Sequence, residues 1–419
     1  MPRLVATPVV PASSRSTRRA WIPVAVALGG IGWGSNQISP MLLVYSRTLG
    51  LSTGTLDALF GVYILGLIPG LLVTGPISDA RGRRPAVLWA VGISLLGTVL
   101  VIVGAHELAL LFAGRFAAGV SSGMAFSAGT SWLREVSLPP FGTAAAPTAA
   151  RRAAMAMTVG FGAGPLVAGL LAQWVPAPSV LAYLPHMALM IVALPGLLRV
   201  PETVDRADWR SVSLRIPEVR VARFRWVAAP LAPWVFAAPA IGFAFLPEIL
   251  GVARTHDGIA LTGAIPAVMA VAGLVVQPLG RRLDADACRN RAGVLGLVVL
   301  AFGLGLSAAT AYLGRTWLLL PCAVVLGAAY GLCLVAGLID VQSIAGPGGL
   351  ARLTAAYYAL TYLGFAAPYL LTLAEPVASY PTMLGITAAL ALATAVLVRA
   401  RSSALPRAVP APELPNYID

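Results

Sequence analysis

The chain has 419 residues, 58% hydrophobic and only 11% charged, with a formal net charge of +13. Its mean hydropathy of +0.84 excludes a soluble domain, where about 45–50% of residues are apolar and roughly 25% are charged. The positive charge does not point to nucleic acid either, because the basic residues are scattered between apolar runs and form no continuous face.

A spanning helix needs about 20 mostly apolar residues. By that rule spans are expected near 21–45, 55–75, 85–104, 109–133, 153–174 and 178–199. After a polar segment, six more follow near 226–247, 258–279, 292–313, 316–338, 353–374 and 380–399. The resulting organisation is a tail over 1–20, a six-helix half over 21–199, a central linker over 200–225, a second six-helix half over 226–399 and a tail over 400–419. Arg15, Arg18 and Arg19 precede the first span and no small-residue cleavage site follows it, so it reads as a retained helix and not a signal peptide.

Every basic residue apart from the three histidines is arginine, which reads as a compositional bias of the source. With the amino terminus inside, 25 arginines fall in segments on the inner side and three, Arg47, Arg254 and Arg315, on the outer side. This asymmetry follows the positive-inside rule and puts both termini in the cytoplasm.

The segment joining spans 2 and 3 reads GPISDARGRRP and holds Gly75, Asp79, Arg81, Gly82, Arg83 and Arg84. Span 4 contains LFAGRFAAGVSSG, with Arg115 ahead of Gly119 and Gly123, and ends in WLREVS, with Glu135. Arg115 is the one arginine within a span, where an unpartnered charge costs several kcal/mol. Snorkelling from a helix end is the alternative. Span 5 contains GFGAGPLVAG, with Gly160, Gly164, Pro165, Ala168 and Gly169, and span 6 ends in RVPET. Beyond it, arginines interleaved with apolar residues up to Trp226 fit either a surface amphipathic helix or a solvated basic linker. A second arginine- and aspartate-rich turn, PLGRRLDADACRNR, follows span 8 at the place corresponding to the first, which supports two parallel repeats. The cysteines, Cys288, Cys322 and Cys333, have no metal or disulfide spacing.

Together these stretches resemble the major facilitator superfamily. The 2–3 turn is similar to its G-x-L-A-D-R-x-G-R-R signature, with Ala80 in place of the usual first basic residue. GAAYGLCLVAGLID and YYALTYLGFAAPYLL resemble its helices 10 and 11 more loosely. The resemblance implies an all-α membrane protein of 12 transmembrane helices in two six-helix pseudo-repeats. It also implies a cytoplasmic gate in which Asp79 meets the amino end of helix 11, whose dipole favours an anion, while Arg83 pairs with Glu135. Arg115 would take part in proton transfer, as proposed for proton-linked members. Gly160, Gly164, Pro165 and Gly169 are similar to the glycine signature of the superfamily's antiporters, which favours export over uptake.

Such a fold binds its substrate at the midplane between the halves. The polar and aromatic residues expected there are Asn36, Gln37, Tyr63, Gln277, Tyr330, Tyr357, Tyr358 and Tyr362, although a tyrosine in a span also serves as packing or as an interfacial anchor. A mostly apolar, aromatic cavity suits small apolar or amphipathic compounds. No carboxylate falls at the centre of any span. Asp57 is the protonatable candidate at the outer end, where a helix-start aspartate favoured by the dipole also accounts for it; Glu248, Asp340 and His186 are the others. The expected protein is a proton-coupled exporter of the bacterial plasma membrane, monomeric, partnered by a small-molecule substrate, protons and lipid, with no cofactor or metal. An uptake symporter, an uncoupled facilitator and a transport-dead receptor remain open on the same fold, whereas a membrane enzyme is disfavoured because no nucleophile, histidine or paired-acid constellation is present.

Overall fold

A computed structural model describes residues 19–204, 216–284, 290–345 and 350–405. Most of the two expected tails, the centre of the linker, Cys288 and part of the second arginine-rich turn lie outside these residues.

All regular structure among the described residues is helical, in twelve passages. α1 is in two pieces, Trp21–Asn36 and Ile38–Leu49. α2 is Thr53–Arg81 and α3 Arg83–Val103. α4 runs over Leu108–Met124, a π-helical turn at Ala125–Gly129 and Thr130–Ser137. α5 is Ala146–Trp174, and α6 joins Pro178–Leu181 to Leu184–Leu198. α7 covers Phe224–Ile249 with two π-helical turns, α8 is Gly258–Leu283 and α9 Arg291–Leu313. α10 is Leu319–Ile344. α11 is Leu350–Tyr362 and Ala367–Leu373 joined by a 3-10 turn, and α12 is Tyr380–Ala404.

Ten of these passages are long and apolar enough to cross a bilayer as single helices; the other two, α1 and α11, are broken. The α1 break has a local cause. Pro40 has no amide hydrogen to offer the Asn36 carbonyl, and the Ser39 hydroxyl donates to that oxygen instead, at 2.9 Å. In α11 the irregular turn precedes Pro368, which has no amide to offer the Gly364 carbonyl, and the Ala367 amide donates to that oxygen instead, in 3-10 fashion. There the chain lies so close to α7 that a Cβ on Gly364 would collide with the Pro233 carbonyl.

The two sets of six helices are built alike. α2 packs on α4 through Gly66 and Gly70 against Gly119 and Gly123, each of which would drive a Cβ into the partner's backbone. α8 packs on α10 in the same way through Gly273 against Gly327 and Gly331. Between helices in lipid, small residues at four-residue spacing permit the close contact that dispersion requires. The periphery is apolar and open: Trp89 is 70% exposed, Phe302 66% and Val396 70%. Surfaces of that kind suit acyl chains and not water.

Candidate functional site

At the arginine-rich end of the first six helices, Gly82 turns the chain from α2 into α3 with φ at +107°, a conformation that favours glycine. The turn is gripped by Glu202 of RVPET, whose carboxylate accepts the backbone amides of Arg83 (2.8 Å) and Arg84 (3.0 Å) at the start of α3. A carboxylate there satisfies amides that have no helical partner and complements the helix dipole. The Arg83 guanidinium spans three groups: Asp79 at 2.5 Å, Glu135 at 3.1 Å and the Ser78 hydroxyl at 2.7 Å. Thr203 donates to the other oxygen of Glu135 at 2.5 Å, and the Trp132 indole donates to the Pro201 carbonyl at 3.1 Å. The end of α6 is thereby tied to the α2–α3 turn and to α4.

Asp79 is therefore engaged by Arg83 of its own half, with half of its side chain exposed. The residues just before α11, 346–349, lie outside those described. At Gly75 a Cβ would rest 3.7 Å from Ser127, an ordinary contact, so no close approach requires glycine there. Arg81 is exposed and Arg84 half-buried.

The second six helices carry a counterpart. Asp340, near the end of α10, is fully buried and accepts Arg223 at 2.8 and 3.0 Å. Its other oxygen accepts the side-chain amide of Asn290, at the start of α9. Asn290 in turn caps α9 by accepting the Gly293 amide at 3.0 Å. Glu135 and Asp340 thus occupy corresponding positions, each clamping the helix that begins beside it. Charge and desolvation explain the pairing, since a buried carboxylate is tolerated only when paired and hydrogen-bonded.

At mid-depth, Arg115 is 2% exposed. It donates to the backbone carbonyls of Ser35 (2.8 Å), Phe60 (3.3 Å) and Leu59 (3.4 Å), and lies 4.9 Å from the centre of the Tyr63 ring. It has no carboxylate partner among the described residues. Backbone dipoles and an aromatic face stabilise the charge without cancelling it. Beside it is a cavity of about 10 Å³, lined by Gln37, Thr98 and Tyr183 among others, roomy enough for one water. Gln37 thus lines a cavity inside the first half, away from the inter-half face, and its Oε1 has no partner. His186 is spoken for by the Thr98 hydroxyl at 2.9 Å and Ser94 at 3.3 Å.

Aromatic rings fill the contact between the halves. Phe126 of α4 lies 5.3 Å from Tyr358 and 5.6 Å from Tyr362 of α11. Tyr362 stacks on Phe236 at 4.3 Å, Phe236 lies 5.6 Å from Tyr330, and Tyr63 lies 6.2 Å from Tyr362. Phe60 meets Phe243 and Phe365 at 5.7 and 5.3 Å. Tyr357 does not belong to this face. Its ring is buried with Phe224, Ala228 and Val341 in a separate layer, with its hydroxyl against Gly337. Asn36 is buried at the α1 break, and Gln277 is half-buried with no hydrogen bond among the described residues.

The arginine-poor end joins the halves through polar contacts. Gln173 at the end of α5 caps α8, accepting the amides of Ile259 (3.1 Å) and Ala260 (3.3 Å) and donating to the His256 carbonyl at 2.7 Å. Thr372 of α11 donates to Asp57 of α2 at 2.6 Å, and Glu248 is half-buried near the same end of α7. Asp57 is 2% exposed, so it faces the partner half and not solvent. The helix 5 glycines all sit at crossings: Gly160 on Gly29 of α1, Gly164 on Trp33 and Gly169 on Gly263 of α8. α5 runs on through Pro165 without interruption.

Glu202, Arg223, Asn290, Gln173 and Phe126 were not singled out by sequence reasoning. For Glu202 a signal existed in the resemblance of RVPET, but the other four carry no local signature. Their partners are 50 to 117 residues away for Asn290 and Arg223.

The family model described as Major Facilitator Superfamily matches residues 24–368. Among curated proteins, the Myo-inositol transporter 1 of Cryptococcus neoformans is 30% identical over 122 residues, covering 28% of this chain and 21% of that protein. The Glucose transporter GlcP of Staphylococcus epidermidis is 30% identical over 112 residues, 26% and 25% of the two chains. The Multidrug resistance protein D of Escherichia coli is 34% identical over 85 residues, 20% and 21% of the two. The matched stretches span a fifth to a quarter of these relatives. Among solved structures, a peptide transporter, POT, superposes with a TM-score of 0.74 at 14% identity over 93% of this chain and 96% of its own. The nucleoside transporter NupG gives 0.69 at 13% identity over 91% and 98%. At such identities the likeness concerns fold alone.

Proposed function

Since the chain belongs to the major facilitator superfamily, and is thus a multi-pass membrane transporter of small molecules and not an enzyme, we propose that it exports small apolar or amphipathic compounds in exchange for protons. The observation that carries the substrate class is the aromatic inter-half face of Phe126, Phe236, Tyr358, Tyr362 and Phe365, five rings in mutual contact. A flat apolar molecule stacks on such rings, and the buried hydroxyls of Tyr63 and Tyr362, which have no hydrogen-bond partner among the described residues, are the polar contacts left for an amphipathic one. The likeness to a multidrug resistance protein supports the same class.

Alternating access follows from how the halves meet. With the arginine-rich end in the cytoplasm, the Gln173 cap, the Asp57–Thr372 bond and the Gly169–Gly263 crossing close the outer end. Turning outward breaks these contacts. The carboxyls available to a coupling step there are Asp57 and Glu248, one from each half, and Arg115 holds a fixed positive charge at the Leu59 and Phe60 carbonyls, within a turn of Asp57 on α2.

A second reading, uptake, is favoured by a specific observation: Gly160, Gly164 and Gly169 are each accounted for by helix packing, and three of the matched relatives are named as sugar or inositol transporters. Energised inverted membrane vesicles with a pH-gradient dye separate the two. Addition of a lipophilic substrate collapses the gradient if export is proton-coupled. A gradient left untouched across a broad panel, with folded protein present, refutes it in favour of uptake or facilitation.

A further inference from the structure

A cleft of about 610 Å³ opens between α9 and α12 at the arginine-rich end, lined by Arg291, Val294, Leu295, Val298, Arg399 and Ser403. Its volume is that of an ordinary ligand site. Arg291 begins α9, and residues 294, 295 and 298 follow it on one face at helical spacing; Arg399 and Ser403 are one turn apart on α12. Two positive charges and a hydroxyl therefore sit at one end of the cleft, with an apolar wall running away from them toward the bilayer centre.

Both arginines are exposed. The buried or nearly buried arginines nearby, Arg83 and Arg223, are each held by a carboxylate, but neither Arg291 nor Arg399 has an ion-pair partner among the described residues. Two unpaired guanidinium groups facing one cleft repel each other unless an anion lies between them. The amino end of α9 itself is already satisfied, the Ala292 amide by the Asp284 carboxylate at 3.3 Å and the Gly293 amide by Asn290 at 3.0 Å, so the two guanidinium groups are what the cleft offers an anion.

The wall indicates what kind of anion. Leu295 and Val298 are 37% and 45% exposed, and below them the outer faces of the same two helices continue as Phe302, Leu392 and Val396, all exposed. A free phosphate would use the charged end and leave the wall empty. An amphiphile with an anionic head and apolar tails uses both, and the surface is one that lipid already covers. We propose that this cleft is a binding site for an anionic phospholipid, its phosphate between Arg291 and Arg399, its glycerol region against Ser403 and an acyl chain along Val294, Leu295 and Val298. Guanidinium pairs match phosphate oxygens in geometry as well as charge, and basic pockets between membrane helices are a known chemistry for such head groups.

The test uses the full-length protein in neutral detergent and native mass spectrometry, with phosphatidylglycerol titrated against phosphatidylcholine of the same chain length. Wild type is expected to retain phosphatidylglycerol preferentially. R291Q/R399Q should lose about 30-fold in that retention, and either single variant about fivefold, given that each basic residue near anionic lipid contributes on the order of one fivefold factor. Both positions are exposed, so folding is checked by an unchanged lipid-free melting temperature, and the single variants carry the test should the double variant not fold. Val298→Trp keeps both charges but fills the groove, and it should also lower retention. Arg315→Gln, an exposed arginine beyond the opposite end of α9, should not. Equal retention of the two lipids by wild type, or unchanged retention in R291Q/R399Q, overturns the proposal. So does unchanged retention in Val298→Trp, which would reduce the effect to general surface charge. Displacement by inorganic phosphate as effective as that by lysophosphatidylglycerol would make the cleft a site for free anions and likewise overturn the lipid assignment.

Discussion

Gly169→Val is expected to shift the protein away from the state closed at the arginine-poor end. A Cβ at this position lies 2.9 Å from the Gly263 Cα and 3.0 Å from the Ile259 carbonyl oxygen. Carbon atoms pack best at about 3.5–4.0 Å, so α5 and α8 must separate by up to about 1 Å before even the first methyl group fits. Overpacking of this kind costs about 1–3 kcal/mol. That cost falls on the closed state alone if the two helices part on opening, and at 1.4 kcal/mol per tenfold it lowers the closed-to-open ratio about five- to 150-fold. Spin labels at Trp174 and Arg254, introduced in a cysteine-free background, report the distance across this end. The expected result is a distance distribution moved to longer values in Gly169→Val, with a smaller shift in Gly169→Ala. An unchanged distribution from folded protein would show that the α5–α8 crossing does not part during the cycle, and the gating account would fail with it.

Arg115→Met removes three hydrogen bonds from a charged donor, worth about 1.5–3 kcal/mol each, but also relieves the burial of an uncancelled charge. Its melting temperature should therefore change little while substrate-linked proton movement disappears; persistence of that movement would take Arg115 out of coupling. A double-mutant cycle of Arg83→Gln and Glu135→Gln should give a coupling energy of about 1 kcal/mol in melting experiments, the scale of a partly exposed pair, and additive effects would contradict the pairing. Phe126→Ala and Tyr362→Ala should each weaken binding of an apolar substrate by at least the roughly 0.5–1.5 kcal/mol of a ring pair, read as a rise in Kd. Tyr357→Phe, whose ring lies in the separate layer, should leave Kd unchanged, and the reverse pattern would displace the binding face.

The helical class and the apolar spans were legible because lipid permits no other solution for long hydrophobic runs. Breaks within α1 and α11 were less so. Pro40 and Pro368 are visible in the sequence, but prolines at 69, 76 and 165 leave their helices continuous. Whether a proline breaks a passage depends on what else satisfies the freed carbonyl. Family spacing brought Arg83 and Glu135 to attention together, although they are 52 residues apart. Spacing did not convey that the Asp79 carboxylate joins the same guanidinium from within its own turn, because that contact depends on the local conformation at Gly82. Tyr357 and Tyr358 are adjacent in sequence and equally aromatic, yet 100° of helix rotation buries one in packing and puts the other on the inter-half face. Only the orientation of α11 against α4 and α7 distinguishes them.

The central claim is export coupled to protons, and reconstitution addresses it most directly. Proteoliposomes with an acidic lumen and no other gradient are given a lipophilic fluorescent substrate outside. Proton-coupled export drives accumulation of the substrate inside, accompanied by alkalinisation of the lumen and abolished in Arg115→Met and in Asp57→Asn/Glu248→Gln. Equilibration without accumulation, or movement indifferent to the pH gradient, would contradict it.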